Sequence, residues 1–244
     1  MKIDPEKCIG CERCLPYCPA GAIHMLNRDG EPVAEIDQDE CVECDVCRDR
    51  ARICPVDAIY LPEIKWPRSI RGYFSNPHYP HPSTDEQGRG TGEMKTNDVT
   101  GRYPHGVVGI VLEMGRPGIG TTFRDIQTVT TALGRLGVVF ESDNPVTAVM
   151  TDKKTGKINP EVLNEKILSG MIEFKVENTR LKDVLDAVKG ISGMIDTVFS
   201  LDLISRVDPD GSVPTDAIVY AAGFRPRPNA KINVGLGRPL AEEH

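Results

Sequence analysis

The chain of 244 residues has no apolar run that approaches the roughly 18 residues of a membrane-spanning helix. Its start, Met-Lys-Ile-Asp-Pro-Glu-Lys, lacks the apolar stretch of a secretory signal, so we expect a cytoplasmic protein. Aromatic residues are scarce, but 39% hydrophobic and 27% charged residues support a packed core and exclude a wholly disordered chain. No cysteine follows residue 54, although the chain holds eight. This confinement excludes the disulfide framework of a secreted protein.

The eight cysteines form two motifs with short, regular spacing. They read Cys8-x2-Cys11-x2-Cys14-x3-Cys18-Pro19 and Cys41-x2-Cys44-x2-Cys47-x6-Cys54-Pro55. Such spacings let thiolates from one tight loop point at a common centre, as soft metals and iron–sulfur clusters require. Two structural zinc sites are the alternative, because zinc also uses Cys-x2-Cys pairs. Zinc needs four ligands per site, however, and gains nothing from a third cysteine at the same spacing.

The two motifs lie in an internal repeat. Residues 3–23 and 36–59 each read Ile-Asp, a cysteine-rich loop, Cys-Pro, two further residues and Ala-Ile. In these features residues 1–62 resemble the bacterial-type dicluster ferredoxins, in which each repeat is a short strand, a cluster loop and a helix of one or two turns. The resemblance implies two 4Fe-4S clusters as cofactors and electron transfer as the activity.

The resemblance also implies which cysteines bind each cluster, because in that family the fourth cysteine of each motif binds the other cluster. The ligands implied for cluster one are Cys8, Cys11, Cys14 and Cys54, which we call set one. The ligands implied for cluster two are Cys41, Cys44, Cys47 and Cys18, which we call set two. The sequence departs from the family pattern in the six residues between Cys47 and Cys54, three of which are arginines, Arg48, Arg50 and Arg52. Near cluster two they would raise its potential unless they point to solvent.

Acidic charge is concentrated in the same segment. Residues 1–62 hold thirteen Asp and Glu and seven Lys and Arg, a net charge of −6 where the whole chain has −7. An acidic face around a cluster steers docking to a basic patch on a partner, although part of this charge serves solubility alone. The acidic balance opposes phosphate and argues against nucleic acid. We expect a redox partner protein, a flavoprotein or another oxidoreductase subunit, in a hetero-oligomer.

Residues 63–105 are predicted to form an extended strap. The segment shows no helical or strand period and is rich in Pro and Gly, yet it carries five of the 13 aromatic residues. Disordered linkers are poor in aromatic residues. We therefore expect the strap to pack on the chain's own domains or on a partner.

Residues 106–206 are predicted to form a second domain, which makes the chain an α+β protein. Apolar spacing indicates helices at 122–136 and 181–191, the first capped by Thr122 and Asp125, and proline placement indicates a short helix at 160–168. Predicted strands lie at 107–113, 138–140, 146–150, 171–176 and 197–204. This order fits a split-βαβ sandwich of the ferredoxin-like or ACT-like type, with helices on one face of an antiparallel sheet. Such a fold does not by itself specify a function.

A glycine-rich loop between the first strand and the first helix of this domain is a second candidate site. Its backbone N–H groups, the helix N-terminus and two arginines suit a phosphate or carboxylate. The candidate cofactor-binding residues are Gly115, Arg116, Gly118, Gly120 and Arg124. The alternative is a connection in which the glycines only supply positive φ. The order Gly-x-x-Gly-x-Gly differs from the dinucleotide fingerprint.

Residues 207–244 are predicted to be a basic docking segment. No acidic residue lies between Asp216 and Glu242, whereas four basic residues do: Arg225, Arg227, Lys231 and Arg238. Residues 215–226 also resemble the last strand of flavin disulfide-reductase domains. Because the chain has no N-terminal dinucleotide fingerprint, we do not expect it to bind flavin.

The sequence thus favours an electron-transfer subunit without catalytic residues of its own, because no Ser-His-Asp, Cys-His or carboxylate pair stands out. One alternative is a reductase subunit that binds substrate or cofactor at the 115–124 loop. Residues 95–102 and 115–118 are similar to ferredoxin-containing reductases of the 6-hydroxynicotinate reductase type, which would imply reduction of a heteroaromatic ring. Another alternative is a redox sensor in which the ACT-like module binds a small metabolite.

Overall fold

Two hydrophobic cores organise the chain in the computed structural model, which describes residues 1–85, 87, 98, 101–116 and 118–227. The smaller core lies in the first 60 residues and includes several cysteines. The larger core gathers apolar side chains between Ile70 and Ala222. Among the described residues, no helix is long and apolar enough to span a membrane.

The first 60 residues fold as two interleaved copies of the repeat. Two antiparallel pairs form, β1 (Lys2–Ile3) with β4 (Ile59–Tyr60) and β2 (Ile23–Arg28) with β3 (Glu31–Ile36). The strand that opens each copy therefore pairs with the strand that closes the other. The first copy contains a 3-10 turn at Leu15–Tyr17, and the second a π-helical turn at Val46–Arg50 that takes up part of the longer spacer.

The predicted strap contains a helix, so the expectation of a segment without regular structure is wrong. Helix α1 (Ser69–Ser75) buries Ile70 and Phe74 in the larger core, where Phe74 packs edge to face on Phe123 with ring centroids 5.2 Å apart. Seven residues with a central glycine are too few to show an apolar period. The helix forms because packing, not intrinsic propensity, stabilises it.

The second half is built on a four-stranded antiparallel sheet. Its strands are β5 (Val107–Met114), β7 (Val139–Phe140), β11 (Gly170–Glu177) and β12 (Phe199–Ile204), in the order β12-β5-β11-β7. Two short antiparallel pairs accompany it: β6 (Thr121–Thr122) with β10 (Lys166–Ile167), and β8 (Met150–Asp152) with β9 (Lys157–Ile158). Alternate residues of β5, such as Ile110 and Leu112, face the core because strand side chains alternate.

Two amphipathic helices cover the sheet as the apolar spacing predicts. Helix α2 (Phe123–Arg135) begins with a capping box, in which the Thr122 hydroxyl accepts from Asp125 N and the Asp125 carboxylate accepts from Thr122 N. Helix α4 (Leu181–Ile191) buries Leu181, Val184, Leu185, Val188 and Ile191. Both helices bury these faces in the same core as the sheet.

Two predictions of local structure between β7 and β11 are wrong. Residues Pro145–Ala148 form helix α3 instead of a strand, because the Asn144 side chain accepts from Val146 N and Thr147 N, and proline occupies the first turn. In the predicted helix at 160–168, only Pro160–Val162 is helical, and Lys166–Ile167 forms β10. Capping and strand pairing override the residue preferences in both places.

The resemblance of residues 215–226 to a flavin-domain strand is also wrong in its structural implication. Residues Asp216–Ala221 form helix α5, which contacts α4. Val219 and Ala222 are buried in the larger core at a spacing of three residues, the spacing of one helix face. The apolar run therefore packs as a helix.

Candidate metal centre

The eight cysteines line two separate cavities in the first 60 residues. One cavity is lined by Cys8, Cys11, Cys14 and Cys54. The other cavity is lined by Cys18, Cys41, Cys44 and Cys47. Each cavity therefore combines three cysteines of one motif with the fourth of the other, which is the grouping of set one and set two. All eight cysteines are free thiols.

Left-handed backbone turns give the two cysteine loops the same path. Gly10 and Glu12 have φ of 64° and 59°, and the equivalent residues of the second loop, Glu43 and Asp45, have φ of 56° and 60°. Glycine adopts this conformation freely, whereas a residue with a Cβ does so at a cost of about 1 kcal/mol. Glu43 therefore stands at a strained position that its repeat counterpart fills with glycine.

Backbone N–H groups point at the thiols. Ala22 N lies 3.1 Å from Cys18 Sγ, and Ala58 N lies 3.2 Å from Cys54 Sγ. These alanines belong to the Ala-Ile pair that closes each repeat copy, so the repeat places one donor on each crossing cysteine. Hydrogen bonds to sulfur stabilise the thiolate and tune the potential of a bound cluster.

Three of the four thiols of set two, those of Cys41, Cys44 and Cys47, are buried. Burial, together with the neighbouring thiols of the same set, raises the pKa of Cys44 to about 11 and that of Cys47 to about 12. Burial also raises the pKa of Cys14, to which Cys11, Cys8 and Cys54 contribute. Thiols packed in this way stay protonated at neutral pH unless a metal binds the thiolate.

The residues present fit a cage-like cluster in each cavity. Each set offers four soft thiols around an apolar cavity, with N–H donors on the sulfur atoms. Within the part of the chain that is described, no group of three or more His, Cys, Asp or Glu is placed to hold a single metal ion. Four thiolates around one cavity are the ligand set that a 4Fe-4S cluster uses.

Arg71 of α1, which no sequence pattern singled out, binds the second cysteine loop, residues 38–47, which we call the loop of set two. Arg71 is 5% exposed, and its Nη1 donates to the carbonyl oxygens of Gln38, Asp39 and Cys41 at 3.0, 3.0 and 2.8 Å. Its Nε pairs with Glu165 of the second half. Three carbonyls of one loop thus share a single buried guanidinium.

A second arginine, Arg68, pairs with Glu43, the strained residue of the same loop. Arg68 donates to Glu43 Oε1 at 2.6 and 2.8 Å, and the amino group of Met1 pairs with Glu43 Oε2. Arg68 also donates to the Gln38 carbonyl. No sequence pattern identifies Arg68 and Arg71, because α1 is too short to show an apolar period from which their common face could be inferred.

The three arginines of the longer spacer are directed to acidic partners or to solvent. Arg48 pairs with Asp45 at 2.5 Å, and Arg52 is largely exposed, 3.7 Å from Asp49. Arg50 is exposed as well. Arg50 and Arg52 therefore point to solvent, whereas Arg48 is paired with Asp45, which lines the second cavity. The arginines that pack against the loop of set two from outside the ferredoxin repeat are Arg68 and Arg71.

The glycine-rich loop forms a tight connection. Gly115, Gly118 and Gly120 have φ of 85°, 69° and 80°, and a Cβ on Gly115 would lie 2.8 Å from Leu168 O. Gly120 N donates to Gly115 O. The backbone therefore requires glycine here for its own geometry.

The two arginines of this loop form contacts within the domain. Arg116 pairs with Glu113 at 3.2 Å, and Arg124 donates to Asn164 Oδ1 at 2.6 Å. The Asp125 carboxylate caps the helix N-terminus that an anion would use. Ligand binding at Gly115, Arg116, Gly118, Gly120 and Arg124 stays a prediction. Residues 95–97, 99, 100, 117, 231 and 238 lie outside the described residues.

Residues 1–61 match a family model described as a 4Fe-4S dicluster domain. The chain is 35% identical over 63 residues to an uncharacterized ferredoxin of Methanocaldococcus jannaschii, covering 26% of this chain and 78% of that protein. It is 39% identical over 59 residues to pyruvate synthase subunit PorD of Methanothermobacter marburgensis, covering 24% and 60%. It is 48% identical over 54 residues to one subunit of an ion-translocating oxidoreductase complex of Methanosarcina acetivorans, covering 22% and 18%.

The chain thus spans less than two thirds of the last two relatives. No solved structure matches it. The matched segment contains both cysteine motifs, both cavities and both pairs of repeat strands. Through residues 1–61, the chain belongs to the family of 4Fe-4S dicluster ferredoxins.

Proposed function

We propose that the chain is an electron-transfer subunit with two 4Fe-4S clusters, which passes low-potential electrons to or from a partner oxidoreductase. The observation that carries this proposal is the crossed grouping of the thiols, in which each cavity draws on both motifs. When bound, such clusters exchange single electrons at low potential. Cys8, Cys11, Cys14 and Cys54 would hold cluster one, and Cys18, Cys41, Cys44 and Cys47 cluster two.

The chain's own residues set the environment of each cavity. Ile3 and Ile59 form part of the wall of the first cavity, and Ile23 and Ile36 part of the wall of the second. Apolar walls exclude water and keep the dielectric low, which disfavours the more negative reduced state. The N–H groups of Ala22 and Ala58 oppose this effect by donating to sulfur.

Metal content tests the proposal directly. Purified chain reconstituted under anaerobic conditions should bind about eight iron and about eight acid-labile sulfide, because each four-iron cluster contains four of each. Four iron per chain, or zinc in place of iron, would contradict the ligand assignment.

A matched pair of variants tests the crossing. Cys54→Ala should impair the cluster formed with the first motif, and Cys18→Ala the one formed with the second, as followed by Mössbauer spectroscopy and by EPR after reduction. If Cys54→Ala affects only the cluster held by Cys41, Cys44 and Cys47, each motif binds its own cluster and the crossed assignment is wrong.

We further infer that residues 106–206 form the split-βαβ sandwich. The strand order β12-β5-β11-β7 supports this, with α2 between the first two strands of the sheet and α4 between the last two in sequence. In this arrangement the second half holds the ferredoxin unit, residues 1–62, in a fixed position. Residues 63–105 would join the two, and residues 207–244 would contribute a basic docking segment.

The partner we propose is a flavoprotein or another oxidoreductase subunit, in a hetero-oligomer in the cytoplasm. The names of two relatives, a pyruvate synthase subunit and a subunit of an ion-translocating oxidoreductase complex, support membership of a larger redox assembly. Co-purification of the full chain from its native cells, followed by mass spectrometry of the bound proteins, tests this. Recovery of the chain alone would contradict it.

A further inference from the structure

The two cysteine loops of the repeat differ in exposure although their backbones follow the same path. In the first loop Cys11 is exposed, whereas the equivalent Cys44 of the second loop is buried. Val42 of the second loop is 1% exposed, and its counterpart Ile9 is 61% exposed. The loop of set two is therefore covered, and the residues that cover it add their charges to its surroundings.

One buried guanidinium from outside the repeat contacts both this loop and the second half of the chain. Arg71 Nη1 donates to the carbonyl oxygens of Gln38, Asp39 and Cys41, and the Cys41 oxygen lies at 2.8 Å. Arg71 Nε donates to Glu165 Oε2 at 2.5 Å. The side chains of Arg71 and Glu165 are only 6% and 13% exposed, so solvent screens both charges weakly.

The second half fixes the position of Glu165. Its backbone carbonyl accepts from Phe123 N at 3.2 Å, at the start of α2. The next residue, Lys166, begins β10, which pairs with β6. A carboxylate held by the second half is thus placed on the guanidinium that contacts the cysteine loop.

The charges at this contact have opposite effects on a bound cluster. Reduction adds negative charge, so a nearby cation favours the reduced state and a nearby anion disfavours it. By this rule Arg71 raises the potential of a cluster in the second cavity, and Glu165 lowers it. Both residues lie outside residues 1–61, the segment that matches the dicluster family.

We propose that Glu165 is a positioning residue for cluster two, which holds Arg71 against the cysteine loop and offsets its charge. The second half of the chain then sets the potential at which cluster two accepts an electron. The inference rests on the proposed function, since it requires cluster two to be bound by the thiols of set two. Residues outside the ferredoxin repeat control the difference in potential between the two clusters, and this difference sets the direction in which an electron moves between them.

EPR-monitored redox potentiometry of the reconstituted full chain tests the proposal. Glu165→Gln keeps a hydrogen-bond acceptor for Arg71 and removes the negative charge. At the midpoint potential that cluster two has in the unaltered chain, the ratio of reduced to oxidised cluster two should rise about threefold. Glu165→Asp, which keeps the charge, should change the ratio less. The ligand variants Cys11→Ser and Cys44→Ser assign each signal to its cluster.

Glu161→Gln is the matched control. It makes the same change of charge four residues earlier, at an exposed carboxylate that accepts from Trp66 Nε1, and should change the ratio less than about 1.3-fold. No rise in Glu165→Gln, or an equal rise in both variants, would overturn the inference while leaving the proposed function intact. An unaltered chain that loads only one cluster would refute both.

A double variant keeps the test decisive if Glu165→Gln alone does not load both clusters, because breaking a buried ion pair is destabilising. Arg71→Gln/Glu165→Gln removes both charges of the pair. Its ratio of reduced to oxidised cluster two should exceed that of Arg71→Gln, which keeps the negative charge of Glu165. An equal or lower ratio in the double variant would overturn the inference.

Discussion

At the scale of single residues, Glu43 is the residue on which the loop of set two depends. It occupies a left-handed position, where the other repeat copy has Gly10, and it is only 4% exposed. Both of its carboxylate oxygens are paired, one with Arg68 and one with the amino group of Met1. A buried charge without partners is strongly destabilising, so these contacts are needed to offset both burial and backbone strain.

We expect Glu43→Ala to lower the free energy of unfolding by about 3 kcal/mol, because it leaves the cations that pair with it without a partner in a buried setting. Urea denaturation of the reconstituted chain measures the change. Glu12→Ala is the matched control, since Glu12 has nearly the same φ but is exposed, and it should cost less than about 1 kcal/mol. Equal losses would mean that the ion pairs do not hold the loop.

Arg71 is expected to act on the potential of cluster two. A buried positive charge beside the cluster loop stabilises the more negative, reduced state, so Arg71→Gln should lower this potential by an amount on the order of tens of millivolts. Arg71→Lys, which keeps the charge, should shift it less. EPR-monitored redox titration separates the two clusters.

The control for this prediction is Arg52→Gln, which removes an arginine of the spacer that is 81% exposed at its side chain. Solvent screens that charge, so the potential of cluster two should stay close to that of the unaltered chain. A shift as large as that of Arg71→Gln would show that the spacer arginines, not α1, set the potential.

At the scale of elements, α1 and the residues after it connect the two cores through side-chain contacts. Ile70 and Phe74 lie in the larger core, whereas Arg71 reaches the loop of set two. The His81 ring packs edge to face on Phe74 with centroids 5.1 Å apart, and it is buried. A helix of seven residues is marginal alone, so these tertiary contacts hold it in place.

Burial lowers the pKa of His81 to about 4. Because its folded-state pKa lies below its ordinary value of about 6.5, the unfolded chain binds more protons between about pH 6.5 and 4. The neutral His81 ring therefore contributes its full share of the free energy of unfolding above about pH 6.5. That share is lost as the pH falls, by at most about 1.4 kcal/mol per pH unit.

The measurement is urea denaturation of the reconstituted chain at a series of pH values between about 7.5 and 4.5, a range set by these pKa values. His81→Gln should flatten the pH dependence relative to the unaltered chain. His105→Gln, at a histidine whose side chain is largely exposed, should leave it unchanged. An unchanged slope in His81→Gln would show that another group titrates.

At the scale of the whole molecule, contacts between the two cores should make the chain unfold as one unit. Arg71, Arg68 and Lys166 all contribute hydrogen bonds or ion pairs to the loop of set two, although Lys166 and Glu40 are 126 residues apart in sequence. Such long-range contacts connect the smaller core to the larger one. Cooperative unfolding follows when neither core gains by opening alone.

We expect the visible absorbance of the clusters and the far-ultraviolet circular dichroism to report a single thermal transition in the unaltered chain. In the double variant Arg68→Ala/Lys166→Ala the two signals should report separate transitions, with the clusters lost at the lower temperature. Lys182→Ala removes an exposed ion pair within α4 and should keep the transitions together. Two transitions in the unaltered chain would show that the cores are independent.

Much of this architecture was predictable because it depends on local patterns. The apolar spacing of α2 and α4, the Thr122 cap and the strands β5 and β11 are visible within windows of a few residues. Two of the misassigned segments are those where a cap or a partner strand decided the structure, whereas α1 and α5 form because they pack on the larger core. Asn144 and Pro145 turned a β-branched run into α3, and pairing with β6 made a strand of Lys166–Ile167.

The sequence by itself determined the type and spacing of the candidate ligands, because these are covalent properties: eight thiols in two motifs that belong to one internal repeat. Only the tertiary structure decided that the two sites are unequal. Burial depends on what packs over a loop, and α1, Arg71 and Lys166 come from segments that no local pattern connects to Cys41. Two similar motifs therefore became one exposed and one covered site.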